Sequence, residues 1–196
     1  MSKAERTKQF IIEQTAPIFN MKGYSGTSMS DITEATGLTK GSIYGNFENK
    51  DEVALAAFQY NVKRLQDAFS QEIEKQNTFK GKLLVYPRLY SNYLDLRVTK
   101  GGCPILNTAI EADDTHPVLK KNVERIILFW KRKLIQLIEQ GILAGEFKAK
   151  EIQPERTALT IIALIEGAVM ISKITGNLND LSTVMLSLNK IIEDLE

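Results

Sequence analysis

The residues best suited to acid–base or metal chemistry lie close together near the middle of the chain. Three carboxylates and the only histidine follow one another as Glu111, Asp113, Asp114 and His116. A catalytic zinc site uses three protein ligands, usually with more than one histidine, and keeps one position open. Capping and loop solvation before Pro117 therefore explain this stretch better than ligation does. We predict no catalytic residue, no metal site and no cofactor, and a hydrolase that uses His116 is the weakest functional alternative.

The single cysteine is the other side chain with reactive chemistry. Cys103 follows Gly101 and Gly102 and opens a predicted helix, where the helix dipole and free N–H groups would stabilise a thiolate. One hypothesis is a sensor thiol, and the alternative that we favour is a small buried apolar residue. One cysteine cannot form an intrachain disulfide, and the N-terminus has no signal-peptide pattern. Both features are typical of a cytoplasmic protein.

Two short helices joined by a tight turn are predicted between Ser28 and Lys50. Ser28 and Asp31 have the spacing of a capping box at the start of the first helix. Gly37 tolerates the left-handed backbone that ends a helix, and Thr39 can cap the helix that follows. This arrangement predicts a helix-turn-helix.

The second of these helices has an apolar back and a polar front. Ile43 and Phe47, four residues apart, share the inward face. A helix of this kind fits the major groove of B-DNA. Its outward residues are small or form hydrogen bonds: Lys40, Gly41, Ser42, Tyr44 and Asn46.

The stretch resembles the helix-turn-helix signature of the tetracycline-repressor (TetR) family. The resemblance rests on residues 37–47, GLTKGSIYGNF, and on 49–52, NKDE, and it extends upstream through Phe19, Gly23-Tyr24 and Thr27-Ser28. Gly45 departs from it, because family members often carry an aromatic residue or a histidine there. The resemblance implies a homodimer that binds a palindromic operator. A small-molecule inducer, or modification of Cys103, would release this dimer from the DNA.

The resemblance also implies which residues contact DNA. Base edges or adjacent phosphates would be read from the start of the second helix, and flanking residues would hold the DNA backbone. The predicted DNA-binding residues are Thr27, Ser28, Thr39, Lys40, Gly41, Ser42, Tyr44, Asn46 and Lys50.

The charge balance does not by itself indicate a nucleic-acid-binding protein. The net charge is +1, and residues 1–52 hold six Lys and Arg against seven Asp and Glu. Binding to DNA must therefore depend on the placement of the basic side chains. Those expected to reach phosphates are Lys3, Arg6, Lys8, Lys40 and Lys50.

Apolar periodicity predicts an all-α fold with about nine helices and no strand. The first helix covers residues 3–22 and ends at Gly23, and Pro17 is expected to bend it or loosen one turn. A long helix from Lys50 to about Gln76 connects an N-terminal three-helix head to a C-terminal helical bundle. We place the DNA-binding domain at residues 1–49 and the ligand-binding and dimerisation domain at 50–196.

A ligand site is predicted from the aromatic, soft and ionisable residues of the middle helices. A cavity lined in this way would suit a flat or lipophilic molecule, although any one of these side chains is more often plain core. The predicted ligand-binding residues are Tyr86, Tyr90, Tyr93, Cys103, Asn107, Phe129, Trp130, Glu166 and Met170.

The last two helices predict contact with a second copy of the chain. Apolar residues of the last helix recur three and four apart, and the preceding helix is apolar almost all round. An intrachain core has the same periodicity, and the family resemblance favours the dimer. The predicted interface residues are Ile161, Ile165, Ala168, Val169, Leu181, Val184, Leu188 and Ile191.

Together these patterns predict a cytoplasmic, ligand-responsive transcriptional regulator that acts as a repressor. Its expected partners are double-stranded DNA, a small molecule and a second copy, with no membrane. The alternative is a small-molecule binding protein whose DNA-binding head is vestigial.

Overall fold

The structure is a computed structural model that describes residues 2–91, 100–148, 150 and 152–196. These residues form nine α-helices and no strand, which confirms the all-α prediction. The helices are α1 Lys3–Gly26, α2 Met29–Thr36, α3 Lys40–Tyr44, α4 Lys50–Glu74, α5 Phe79–Ser91, α6 Pro104–Ala112, α7 Pro117–Leu143, α8 Pro154–Thr175 and α9 Leu178–Glu193.

The first helix begins and breaks at residues with clear local reasons. The hydroxyl of Ser2 accepts a hydrogen bond from the N–H of Glu5, and the Glu5 carboxylate accepts one from the N–H of Ser2. The helix continues through Pro17. Its backbone leaves the helical region at Gly23 (φ 73°, ψ 178°), where the sequence predicts the end, and a last turn follows to Gly26.

The chain folds as two compact units. The first comprises residues 1–65 and 97–123, and the second comprises residues 66–96 and 124–196. These units do not follow the boundary predicted between residues 49 and 50. Residues 50–65 of α4, all of α6 and residues 117–123 of α7 belong with the N-terminal helices.

In the first unit, an apolar core holds the helix-turn-helix in place. Ile32 of α2 and Ile43 of α3 are fully buried, and Phe47 after α3 is 2% exposed. They pack against Ile11 and Phe19 of α1, among other buried residues. The inward positions predicted for α3 are confirmed, and its remaining side chains are free to face solvent.

In the second unit, α8 and α9 pack on each other and on α5. Their shared core includes the fully buried Ile161 and Ile165 of α8 and Leu188 of α9. The rings of Phe69 and Tyr86 stack 5.1 Å apart.

Among the described helices, α8 alone is long and apolar enough to cross a membrane. A core helix of a water-soluble protein passes the same test, so this property is weak support for a membrane span.

Candidate nucleic-acid interface

Short-range hydrogen bonds build the turn between α2 and α3. The Ser28 hydroxyl accepts from the N–H of Asp31, and the Asp31 carboxylate accepts from the N–H of Ser28, which confirms the predicted capping box. Gly37 ends α2 in the left-handed conformation, with φ 66°. The Thr39 hydroxyl then accepts from the N–H of Ser42 and caps α3.

The outer face of α3 is open to solvent and polar. Lys40 and Gly41 are exposed, the Tyr44 side chain is 40% exposed, and Ser42 is half-buried. The amide nitrogen of Asn46 donates to the carbonyl of Ser42, which leaves its second N–H and its amide oxygen for other partners. This face offers a cation, hydroxyl groups and an amide oxygen at the start of a helix, the set of groups that reads base edges and phosphates.

Lys50 lies in the first turn of α4, beside the end of α1. Its ammonium nitrogen is 4.3 Å from the centroid of the Tyr24 ring, within cation–π range. The Asn49 side chain accepts from the N–H of Glu52 and starts the helix. The Tyr24 ring therefore orients the Lys50 side chain, which is predicted to contact the DNA backbone.

Two of the head's lysines are engaged by carboxylates. The Lys8 ammonium group is 2.9 Å from Glu52 and lies over the Phe47 ring, which argues against the phosphate contact predicted for it. Lys22 is 2.5 Å from Asp31. The hydrogen bond from Lys22, together with those from Ser28, holds the pKa of the Asp31 carboxyl well below its ordinary value.

Basic residues outside these two ion pairs remain available to contact DNA phosphates. Lys3, Arg6 and Lys40 are exposed. Exposed basic side chains of the head therefore lie at the start of α1 and at the start of α3, although its basic and acidic residues are nearly equal in number.

The prediction for Thr27 needs correction. Its side chain is fully buried, and its hydroxyl donates to the carbonyl of Gly23 at 2.6 Å. Thr27 supports the link between α1 and α2 and offers no side-chain group to DNA. The sequence pattern could not separate it from its exposed neighbour Ser28.

Comparison with known proteins gives this geometry a family. Residues 11–57 match the model of bacterial regulatory proteins of the tetR family, and residues 81–188 match the tetracyclin repressor-like C-terminal domain. The chain belongs to the TetR family. This TetR-family chain is a DNA-binding helix-turn-helix transcriptional regulator, as the resemblance implied.

Several TetR-family proteins resemble this chain over most of its length. A transcriptional regulator from Cytophaga hutchinsonii is 49% identical, with TM-score 0.95 over 100% of this chain and 98% of that one. The transcriptional repressor DhaR from Mycobacterium sp. strain GP1 is 29% identical over 87% of this chain and 84% of its own. A cysteine mutant of the regulator CifR, solved with double-stranded operator DNA, shares the fold, with TM-score 0.81 at 15% identity over 93% and 94% of the two chains.

The predicted ligand residues of this TetR-family protein have different surroundings. Tyr86 and Tyr90 are buried in the second unit, with the Trp130 ring 6.3 Å from each. Phe129 and Met170 are 39% and 45% exposed. Glu166 is half-buried on α8. Tyr93 lies outside the described residues.

Two further residues of that set belong to the first unit. The Asn107 amide nitrogen donates to the carbonyl groups of Asn20 and Gly101, so it binds the chain's own backbone. Cys103 is fully buried at the start of α6, which agrees with the small buried residue that we favoured over a sensor thiol. The ligand role predicted for Asn107 needs correction, because its donor group is already engaged.

Six of the eight predicted dimer residues need correction, because their own chain buries them, and Val184 and Ile191 stay predictions. Within a single chain, Val184 and Ile191 are half-buried. A side chain that its own chain already covers adds no surface to an interface. Those that are at most 2% exposed are Ile161, Ile165, Ala168, Val169, Leu181 and Leu188.

The acidic stretch near His116 has structural roles. The Nδ1 atom of His116 accepts from the N–H of Leu119 at the start of α7, as the capping interpretation expects. Glu111 accepts two backbone hydrogen bonds from the end of α1. Within the described part of the chain, no group of three or more His, Cys, Asp or Glu residues is placed to hold a metal ion.

Proposed function

We propose that this regulator binds a palindromic operator as a homodimer and represses transcription from it in the cytoplasm. Half-sites would lie about 34–36 Å apart, or a multiple of this distance, because each recognition helix enters one major groove. The outer face of α3, polar and fixed by the Thr39 and Ser42 cap, carries this proposal. Lys40, Ser42 and Tyr44 would read base edges or nearby phosphates.

An exposed apolar face on α8 and α9 supports the homodimer. Only 33% of the most apolar window of α8 is buried within the chain. Ile174 of α8 is 81% exposed, and Leu186 of α9 is 68% exposed. Apolar surface of this kind favours association with an identical copy, which covers both faces at once. The other exposed members of this face are Leu159, Met170, Ile171 and Leu178.

A small-molecule response is supported by the aromatic stack of the second unit. The Trp130 ring lies roughly parallel to the rings of Tyr86 and Tyr90. The Trp130 indole N–H is buried and has no hydrogen-bond partner among the described residues. An aromatic molecule with one acceptor atom beside the Trp130 ring would satisfy this donor.

Selection of duplexes from a random library tests operator binding directly. We expect the chain to enrich an inverted repeat, and a Lys40→Ala, Tyr44→Ala double variant to enrich none. Enrichment of single half-sites would contradict the dimer. Absence of any enriched duplex would contradict operator binding and favour the vestigial head.

Trp130 offers a direct test of the ligand response, because it is the only tryptophan. Flat aromatic compounds would be added while indole emission and operator release are recorded together. We expect the active compounds to change both signals. A compound that releases DNA with no change in Trp130 emission would place its site elsewhere.

A further inference from the structure

A carboxylate from α6 occupies the backbone turn at the end of α1. The Glu111 Oε2 atom accepts from the N–H of Tyr24 at 2.6 Å, and Oε1 accepts from the N–H of Ser25 at 2.7 Å. All of these residues belong to the first unit. Successive backbone N–H groups that converge on one anion form a nest, and a carboxylate is the natural occupant of a nest.

Gly23 makes room for this carboxylate. With φ 73°, it has a conformation that residues with a side chain rarely adopt. A Cβ atom at this position would lie 2.4 Å from Oε2 of Glu111. The turn therefore requires glycine for its backbone conformation and for the close approach of Glu111.

A second side chain of α6 holds α1 one turn earlier. Asn107 lies four residues before Glu111, on the same face of the helix. Its amide donates to the carbonyl of Asn20 at 3.0 Å, and the Asn20 amide donates to the carbonyl of Gly102 at 2.9 Å. Two polar contacts therefore fix α6 against the last part of α1.

The turn that Glu111 holds leads directly to the predicted DNA contacts. The Tyr24 hydroxyl donates to Asp51 in the first turn of α4, and its ring lies under the Lys50 ammonium group. The buried Thr27 hydroxyl is bonded to the Gly23 carbonyl, one residue before Ser28 caps α2. Displacement of this turn would shift the start of α2 and the side chain of Lys50 together.

The same region has no room for an organic ligand. A cavity of about 20 Å³ lies beside the carboxylate and is lined by Asn20, Asn61, Asn107 and Glu111, among others. This volume admits one water molecule. Glu111 therefore serves the protein's own backbone and not a small-molecule site.

We propose that Glu111 is a positioning residue for operator binding. Its carboxylate holds the Tyr24–Ser25 turn so that α3 and Lys50 meet the same half-site in register. This inference rests on the proposed operator binding by α3. It predicts that loss of the carboxylate reduces specific binding, while non-specific binding, which depends on exposed cations, is retained.

The Glu111→Gln substitution tests this role without a change of shape. A glutamine has one acceptor oxygen and one NH₂ donor, so one of the two N–H groups would meet a donor. Asp114→Asn is the matched control, because Asp114 is exposed and its substitution changes the net charge equally. Removal of a negative charge by itself favours DNA binding, so a loss of affinity in Glu111→Gln has the opposite sign to the charge effect.

Both variants would be titrated with the duplex that the wild-type chain selects and with a scrambled duplex. For Glu111→Gln we expect specific affinity to fall about fivefold or more, with non-specific affinity changed by less than about twofold. Asp114→Asn should leave the ratio of the two affinities unchanged. An unchanged ratio in Glu111→Gln, or an equal loss on both duplexes, would overturn the proposal.

Amide hydrogen exchange provides a second measurement that needs no DNA. We expect the amides of Tyr24 and Ser25 to exchange faster in Glu111→Gln than in the wild type, and Asp114→Asn to leave them unchanged. Equal protection in all three proteins would overturn the proposal. A wild-type chain that selects no duplex would instead contradict operator binding, and the exchange result would still test the turn.

Discussion

The ammonium nitrogen of Lys40 lies 5.8 Å from the centroid of the Tyr44 ring, one turn further along α3. This distance is within the range of a cation–π contact. Both side chains are exposed, and Thr39 caps the helix immediately before them. The cation and the aromatic ring therefore lie side by side on the outer face of α3 in the absence of DNA.

The first prediction concerns this pair. Lys40→Ala should weaken operator binding and reduce the slope of log affinity against log salt by about one, because one phosphate contact is lost. Tyr44→Ala should reduce the specificity of operator binding while leaving most of its salt dependence.

Lys121→Ala, which removes an exposed lysine of α7, is the control and should change neither the affinity nor the salt dependence of operator binding. Equal effects of Lys40→Ala and Lys121→Ala would show that only net charge matters. Fluorescence anisotropy at several salt concentrations measures both quantities.

The helix-turn-helix could be predicted in detail because its signals are local. Ser28 and Asp31, which form the capping box, are three residues apart. Gly37 is a glycine, the residue type that most often ends a helix in the left-handed conformation. The contacts that hold this motif in the first unit are not local. Lys8 meets Glu52 across 44 positions, and Tyr24 meets Glu111 across 87. Periodicity contains no information about such pairs.

The apolar helices show a second limit of sequence patterns. Almost every face of α8 is apolar, so the pattern could not separate the face that packs on α9 from the face that remains open. Ile165 and Leu188 are fully buried, whereas Ile174 is 81% exposed. That distinction depends on tertiary packing, and for this reason the predicted interface residues were mostly core residues.

The second prediction tests the exposed face of α8 and α9. Ile174→Glu should convert the proposed dimer to a monomer and abolish tight operator binding, because a buried unpaired carboxylate in the proposed interface is costly. Ile174 is largely solvent-exposed in the single chain, so the fold should survive. Leu143→Glu is the matched control, since Leu143 is 86% exposed at the end of α7. Sedimentation velocity measures the mass of each variant.

A core substitution separates this effect from general destabilisation. Ile165→Ala should lower the free energy of unfolding by about 2–5 kcal/mol, because it leaves a cavity at a fully buried site. It should leave the folded protein dimeric. If Ile174→Glu is dimeric and Ile165→Ala is monomeric, the exposed face that contains Ile174 is not the dimer interface.

The third prediction is a pH dependence of stability at Asp31. Its pKa is held below the ordinary value of 3.8 by the hydrogen bond from Lys22 and those from Ser28. A carboxyl with a lower pKa in the folded chain stabilises the fold above its unfolded pKa and loses this effect as the pH falls through the folded pKa. Asp31→Asn should therefore be less stable than the wild type at neutral pH, and the difference should shrink below about pH 4. Urea unfolding at a series of pH values measures it.

The control for Asp31 is an exposed carboxylate on the same helix. Glu34→Gln should give a stability difference from the wild type that is small at every pH. A difference for Asp31→Asn that stays constant down to pH values well below 3.8 would mean that the ionised carboxylate is not its source.

The fourth prediction concerns Cys103. Its side chain is fully buried at the start of α6, so iodoacetamide should react with it far more slowly in the folded protein than in urea. Cys103→Ala should keep operator affinity and any response to alkylating agents unchanged. Rapid labelling of the folded protein, accompanied by release of operator DNA, would instead support the sensor thiol. Mass spectrometry of the labelled protein follows the reaction.

The fifth prediction compares one substitution at two glycines of the helix-turn-helix. Gly45 has φ −74°, and a Cβ atom there would lie 3.4 Å from the Gly41 carbonyl oxygen, which is an ordinary contact. Gly45→Ala should raise the free energy of unfolding by about 0.4–1 kcal/mol, because alanine restricts the unfolded chain. Gly37 has φ 66° with nothing within 4 Å of its Cβ position, so Gly37→Ala should lower the free energy for backbone reasons alone. Chemical denaturation of both variants measures the two changes, and changes of the same sign would contradict this assignment of the turn.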